Sequence, residues 1–307
     1  MSTDVRSELF DDIDLRWEHL KNRLFLGSIF VASMFGVVAL ALLLFDVATD
    51  FYVGITEFDI GLVDFLTRDG SRRPELAGFK GAIVASVFLM LLTAFLSFFI
   101  GVGSAIYLEE YAPDTRLTRL IEANLANLAG VPSIVYGLLA LAALRNGVGL
   151  GPILLVGAIA LALLVMPIII VSSQEAIRAV PDGVRDGSYA TGATKWQTIR
   201  RVVLPAALPG IFTGTILALA RAIGETAPLL MVGALFVNRT PGAPGLGVVG
   251  APLSRFSGMP TQIYAWAAEP SQHFIHLAAV GIVVLLAIML SMNAVAVSLR
   301  NRYETEV

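Results

Sequence analysis

The sequence predicts an all-α integral membrane protein with six transmembrane helices, and three observations carry that prediction. The chain of 307 residues is 56% hydrophobic and only 15% charged, with a mean hydropathy of +0.78, outside the balance of a soluble globular protein. Its apolar residues gather in six long blocks, each near the roughly 20 residues a helix needs to cross a hydrocarbon core of about 30 Å. The charges lie mostly between these blocks. A net charge of −3 suggests neither nucleic-acid binding nor a disordered acidic tail.

In chain order the blocks are Leu24–Phe45, Phe79–Leu108, Leu120–Leu144, Pro152–Ser173, Leu208–Val237 and Phe274–Leu299. The first is longer than the roughly 7–15 apolar residues of a signal peptide and lacks a small-x-small exit, so it reads as a retained helix. Residues 1–23 before it form an arm that is either an amphipathic surface helix or a poorly ordered tail. Two outer segments, Asp46–Gly78 and Asn238–His273, read as either short surface helices or loops; the second is rich in turn residues. The domain division is therefore 1–23, 24–78, a transmembrane domain 79–299 carrying a cytoplasmic loop at 174–207, and a C-terminal 300–307. With six spans, thirteen of the 21 Lys and Arg fall on the side that holds both termini and seven on the other, while Arg221 lies inside a span. The positive-inside rule makes the richer side cytoplasmic.

Cysteine is absent, which excludes disulfides, thiolate metal sites and cysteine nucleophiles. His19, His273 and His276 do not form a ligand pattern, and no metal site or catalytic residue is expected. Glu109, Glu110 and Tyr111 close the second span and read as a solvated helix end in preference to a partner contact. Tyr136 and Trp266 read as packing or interface aromatics.

Two stretches carry chemistry. The first is the loop Ser172–Gly210. Pro181 and Asp182 can start a short helix and Gly192 can end it in a left-handed cap. "TKWQ" (Thr194–Gln197) fits a capping box that starts a second helix, and Pro205 and Pro209 mark the approach to the next span. Two short helices joined at Gly192 result, either a basic element held at the membrane surface by Lys195, Arg200 and Arg201 or a docking element, since so much order exceeds what a connector needs. The pattern Asp186-Gly187-Ser188-x-x-x-Gly192 with Val202-x-Leu204-Pro205 resembles the EAA loop of ABC-importer permeases. That resemblance implies cytoplasmic coupling helices that insert into an ATP-binding subunit. It carries over to Asp186, Gly192, Leu204 and Pro205, with Thr194, Lys195 and Trp196 beside the bend. The departure is Asp-Gly-Ser where Glu-Ala-Ala is usual, and Gly187 should weaken the first helix by about 1 kcal/mol relative to alanine.

The second stretch is "ALARAIGETAPLL" (Ala218–Leu230). Arg221 and Glu225 stand four apart, so on a helix they share a face and can pair; left in lipid each would cost roughly 2.5–3.5 kcal/mol. One reading is a mutually neutralised structural pair. The other is an anion pathway, because Pro228 frees the Gly224 carbonyl and should kink the helix, Thr226 adds a hydroxyl, and an arginine fork suits an oxyanion.

"RAIGETAP" is similar to a segment of the phosphate-specific transport permeases, the Pst group of ABC importers. "GVGSAIYLEEYAP", "LAGVPSIVYGLLAL", "GATKWQTIRRVVLPAALPGI", "MPTQIYAWAAEPSQHF" and "LRNRYE" agree in order, so the resemblance covers about Gly78 to the C-terminus and favours the A-type permease. It implies an ABC importer permease fold, with Arg221, Glu225 and Thr226 on the substrate pathway. It also implies a paralogous C-type permease, two ATP-binding subunits and an extracytoplasmic phosphate-binding protein as partners. The chain has no G-x-x-x-x-G-K-[ST] phosphate loop, so ATP and Mg belong on the partner and this chain is expected to bind no cofactor. An ABC permease for sulfate or molybdate, or an ion-coupled secondary carrier with Glu225 as proton site, are the rival readings.

Overall fold

The computed structural model describes residues 15–234, 240–242 and 247–304, with the side chains of 15, 16, 248, 296 and 299–304 outside the description. Residues 1–14 of the predicted arm 1–23, residues 305–307 of the predicted C-terminal segment 300–307, and part of the second outer segment lie outside the described residues. Among those described, the regular structure is helical, apart from one isolated bridge between Ile153 and Arg255. Among the described residues five helices are long and apolar enough to cross a membrane, or six if one sharply bent pair counts as a single span.

The contacts divide the chain into residues 1–50 and 51–307. The first unit is the bulk of helix α1, Leu15–Thr56, whose described side chains from Trp17 to Phe45 are exposed. From Leu24 to Phe45 that exposed surface is apolar on nearly every side, which suits a lipid-facing span. The helix begins before the sequence-predicted Leu24 and continues past Phe45 to Thr56, because no Gly or Pro interrupts "DVATDFYV" and the Thr49 and Thr56 hydroxyls bond back to the carbonyls of Asp46 and Tyr52. Its 42 residues span about 63 Å, so part of the outer segment is helix rather than loop.

Within the second unit, α2 (Leu62–Thr67) is anchored by Phe65, which is 2% exposed. Its ring stacks on Phe79 at 5.2 Å and lies 5.9 Å from Trp266, itself 5.5 Å from Phe79. These three buried rings fasten the outer segment to the start of α3 (Lys80–Ile106) and to α11 (Met259–Ala267). Trp266 is a packing aromatic.

The centre is α3 against α6 (Leu154–Arg178). Ala85, Leu89, Leu161, Val165 and Ile169 are buried along this contact, and the buried Thr93 hydroxyl donates to the Ala158 carbonyl at 3.3 Å. On the other side of α6 runs α9 (Leu204–Ile223). Here Gly210 and Gly214 face Ala176 and Ser172: a Cβ at Gly210 would come within 2.7 Å of the Ala176 Cβ, and one at Gly214 would fall on the Ser172 side chain. Small residues spaced four apart on both helices let the backbones close up, as in membrane helix pairs generally.

The third predicted span, Leu120–Leu144, is not one continuous helix. It is replaced by α4 (Arg116–Ala129) and α5 (Ser133–Ala140, extended by a π-helical turn to Gly147), bent by 105°. Gly130 ends the first, and Pro132 restricts Val131 to an extended conformation. α12 (Gln272–Glu304) closes the unit with Phe274, Leu277 and Val280 buried.

Candidate functional site

The fifth predicted span, Leu208–Val237, needs two corrections. At its N-terminal end the helix begins earlier: α8 (Lys195–Thr198) passes through a π-helical turn, Ile199–Val203, straight into α9. The second loop helix is therefore the foot of the span, and Pro205, in the first turn of α9, does not interrupt it because its missing N–H falls at the junction with the wider π turn. At its C-terminal end α9 stops at Ile223, and a separate α10 runs Ala227–Val232.

Pro228 therefore does not kink a continuous helix. It occupies the first turn of α10, where a proline leaves no intrahelical bond unmade, and the chain breaks at Gly224–Thr226. The Glu225 amide bonds the Ala222 carbonyl at 3.2 Å. Arg221 Nε and Glu225 Oε1 lie 3.6 Å apart, with side chains 48% and 20% exposed. The pair forms as the spacing predicts, at ion-pair distance but beyond hydrogen-bond reach, and it joins a helix end to the residue beyond it. Thr226 opens α10 without a side-chain cap. α10 is held by α5: a Cβ at Gly137 would sit 2.6 Å from Pro228 Cα and 2.9 Å from its carbonyl oxygen, so only glycine allows this crossing. Behind it the buried Tyr136 hydroxyl donates to the Leu128 carbonyl at 2.8 Å. The two broken segments thus pack on each other beside an arginine that this chain leaves half uncovered.

The second locus is the loop. α7 covers Asp182–Ala190 after Pro181, and Gly192 ends it at φ +85°, with its amide on the Tyr189 carbonyl at 2.9 Å. The capping box is present: the Gln197 amide donates to Thr194 Oγ1 at 3.4 Å and the Thr194 amide to Gln197 Oε1 at 2.9 Å. Asp186, Gly192, Thr194, Lys195 and Trp196 are all exposed. Val184, Tyr189 and Trp196 add apolar exposed surface around the bend. Leu204 instead packs against the buried cluster of Ile177, Val203, Ala207 and Ile211, while Pro205 is exposed.

Sequence reading missed what holds this loop. The glutamates after the second span are not a solvated helix end. A π-helical turn, Tyr107–Tyr111, aims three consecutive residues at three cations. Glu109 accepts from Arg178 Nε and Nη2 at 3.0 and 2.8 Å; Glu110, 9% exposed, accepts from Arg185 Nη1; and Lys195 Nζ lies 5.1 Å from the Tyr111 ring centroid. The partners stand 69 and 75 residues apart, a separation at which charge pattern carries no pairing signal. Ser188 and Thr198 hydroxyls, 2.9 Å apart, tie α7 to α8.

A model of the family described as binding-protein-dependent transport system inner membrane component matches residues 97–305, which takes in both loci. The chain belongs to that family. This permease is 31% identical over 287 residues, 91% of its length and 90% of the relative's, to the phosphate transport system permease protein PstA of Yersinia pestis. It is 32% identical over 207 residues, 67% of its length and 70% of the relative's, to the probable ABC transporter permease protein YqgI of Bacillus subtilis (strain 168). Its fold matches a bacterial alginate ABC transporter crystallised with a pentasaccharide-bound periplasmic protein, at TM-score 0.63 and 15% identity over 92% of this chain and 98% of that one. It also matches the inward-facing MetNI methionine ABC transporter, at TM-score 0.57 and 20% identity over 73% and 94%. The permease therefore has the ABC importer permease fold and is a multi-pass membrane subunit of an importer.

Proposed function

We propose that this permease is the A-type subunit of an ATP-driven phosphate importer and supplies half of the translocation pathway. The observation that carries the reading is Arg221, a guanidinium 48% exposed beside Glu225 at the break between α9 and α10. A forked cation left open in an apolar layer needs an anion, water or partner surface, and its geometry suits a tetrahedral oxyanion. Relatives that bear a phosphate-transport name over nine-tenths of their length support phosphate as that anion. Between passages Glu225 neutralises Arg221, which keeps the site weak enough to release its cargo. Thr226 offers a hydroxyl at the same break.

In this reading Asp186, Gly192, Thr194, Lys195 and Trp196 present the coupling surface to an ATP-binding subunit, and Leu204 and Pro205 join it to the span. ATP and Mg bind there, on the partner, and both termini lie on the cytoplasmic side. A C-type paralogue closes the other half of the pathway and an extracytoplasmic binding protein delivers phosphate.

The test is to co-express this chain with neighbouring subunits, purify by a tag on it, and measure ATP hydrolysis with binding protein loaded with phosphate, sulfate or molybdate. Stimulation by the phosphate-loaded form is the expected result. Stimulation only by another oxyanion would move the substrate assignment, and none at all would overturn the reading.

A further inference from the structure

Resting on the coupling role proposed for the loop, we propose that Glu110 and Arg185 are positioning residues: a buried clasp that makes α7 move as one body with the inner end of α3. Glu110 and Arg185 have side chains only 6% and 18% exposed. One arm of the guanidinium meets the Glu110 carboxylate and the other donates to the Ile177 carbonyl at 2.8 Å, so a single side chain joins α7 to the end of α3 and to the last turn of α6. Its Nε is buried without a hydrogen bond; Asp182 Oδ1 stands 3.9 Å away with a side chain 96% exposed.

The exposed face of α7 is free to dock while its opposite face is fixed by charge. Docking force applied to α7 is passed to α3 and α6 at this point, because removing either partner would strand a buried charge. The backbone alone does not supply this link to α3: α7 is joined to α6 through Ala179–Pro181 and to α8 through the turn at Gly192, and the Ser188–Thr198 hydrogen bond ties it only to α8.

The experiment uses the assembled complex in lipid nanodiscs. Glu110→Gln and Arg185→Met each lower binding-protein-stimulated ATP hydrolysis about tenfold or more. The double variant Glu110→Leu/Arg185→Met leaves no unpaired buried charge, so it restores assembly and thermal midpoint but not stimulation. Parental stimulation in the double variant would reduce the pair to packing and overturn the proposal. Because the chain has no cysteine, spin labels at Tyr107→Cys, exposed, and Gly183→Cys, where an added side chain meets nothing, read the clasp without reference to any substrate. Their separation should be the same in nucleotide-free and ATP-trapped parental complexes and should broaden in Arg185→Met. A separation that changes with nucleotide in the parental complex also overturns the clasp. Failure of phosphate-loaded binding protein to stimulate the parental complex would instead overturn the functional reading, and the label distances would still decide this one.

Discussion

Arg221 and Glu225 stand 3.6 Å apart across the end of α9 rather than along a continuous turn of helix. Glu225 is thus held by loop backbone and can leave Arg221 without unwinding a helix. Arg221→Ala should lower phosphate uptake by the assembled complex about tenfold to a hundredfold, the worth of charge-assisted hydrogen bonds to the anion, with assembly unchanged. Arg221→Lys, which keeps the charge and loses the fork, should fall between. Uptake at the parental rate in Arg221→Ala would assign the pair to structure alone.

Gly137 admits Pro228 at a distance no side chain allows. Gly137→Ala forces α5 and α10 apart, and overpacking of this kind costs about 1–3 kcal/mol. The thermal midpoint of the purified chain should drop, and uptake should drop further than Tm alone explains, because the break carrying Glu225 leads directly into α10. An unchanged midpoint would mean that this crossing is looser than described.

The α6–α9 seam gives a rescue test. Gly214→Ala should destabilise through its collision with Ser172, and Ser172→Gly on the facing helix should restore the thermal midpoint, since it removes the colliding atoms. Additive loss in the double variant would show that the seam is not the site of strain.

Gly187 and Thr194 act on the loop in opposite directions. A Cβ at Gly187 meets nothing, so Gly187→Ala should stabilise α7 by about 0.4–1 kcal/mol, seen as slower amide exchange over 182–190. Thr194→Ala removes the capping box and about 1 kcal/mol with it, so exchange at the Gln197 amide should rise about fivefold. Equal exchange in both variants and the parent would show that docking surfaces, not helix ends, set the order of this loop.

Much of this architecture was legible because local rules fix it. Apolar length marked the spans, the capping box at Thr194 and the left-handed turn at Gly192 follow from neighbours within a few residues, and Arg221 and Glu225 are near enough in sequence to pair even though the helix between them ends. The errors lie where continuity depends on something distant. Pro228 reads as a kink from its own peptide bond, yet the packing of Gly137 against it stabilises a full break. Gly130 and Pro132 were visible in a block long enough to cross the membrane, and only the fold turned that block through 105°.

The sequence by itself determined that the chain is a helical membrane protein with a capped loop between spans and a charged pair near a proline, because periodicity, capping and hydropathy act over one or two turns of backbone. Tertiary structure alone decided that Glu109, Glu110 and Tyr111 grip Arg178, Arg185 and Lys195, that small residues lock α6 to α9, and that Arg221 stays half open. Partners in these contacts are separated by tens of residues, and which of many possible charge pairs is buried depends on how helices cross.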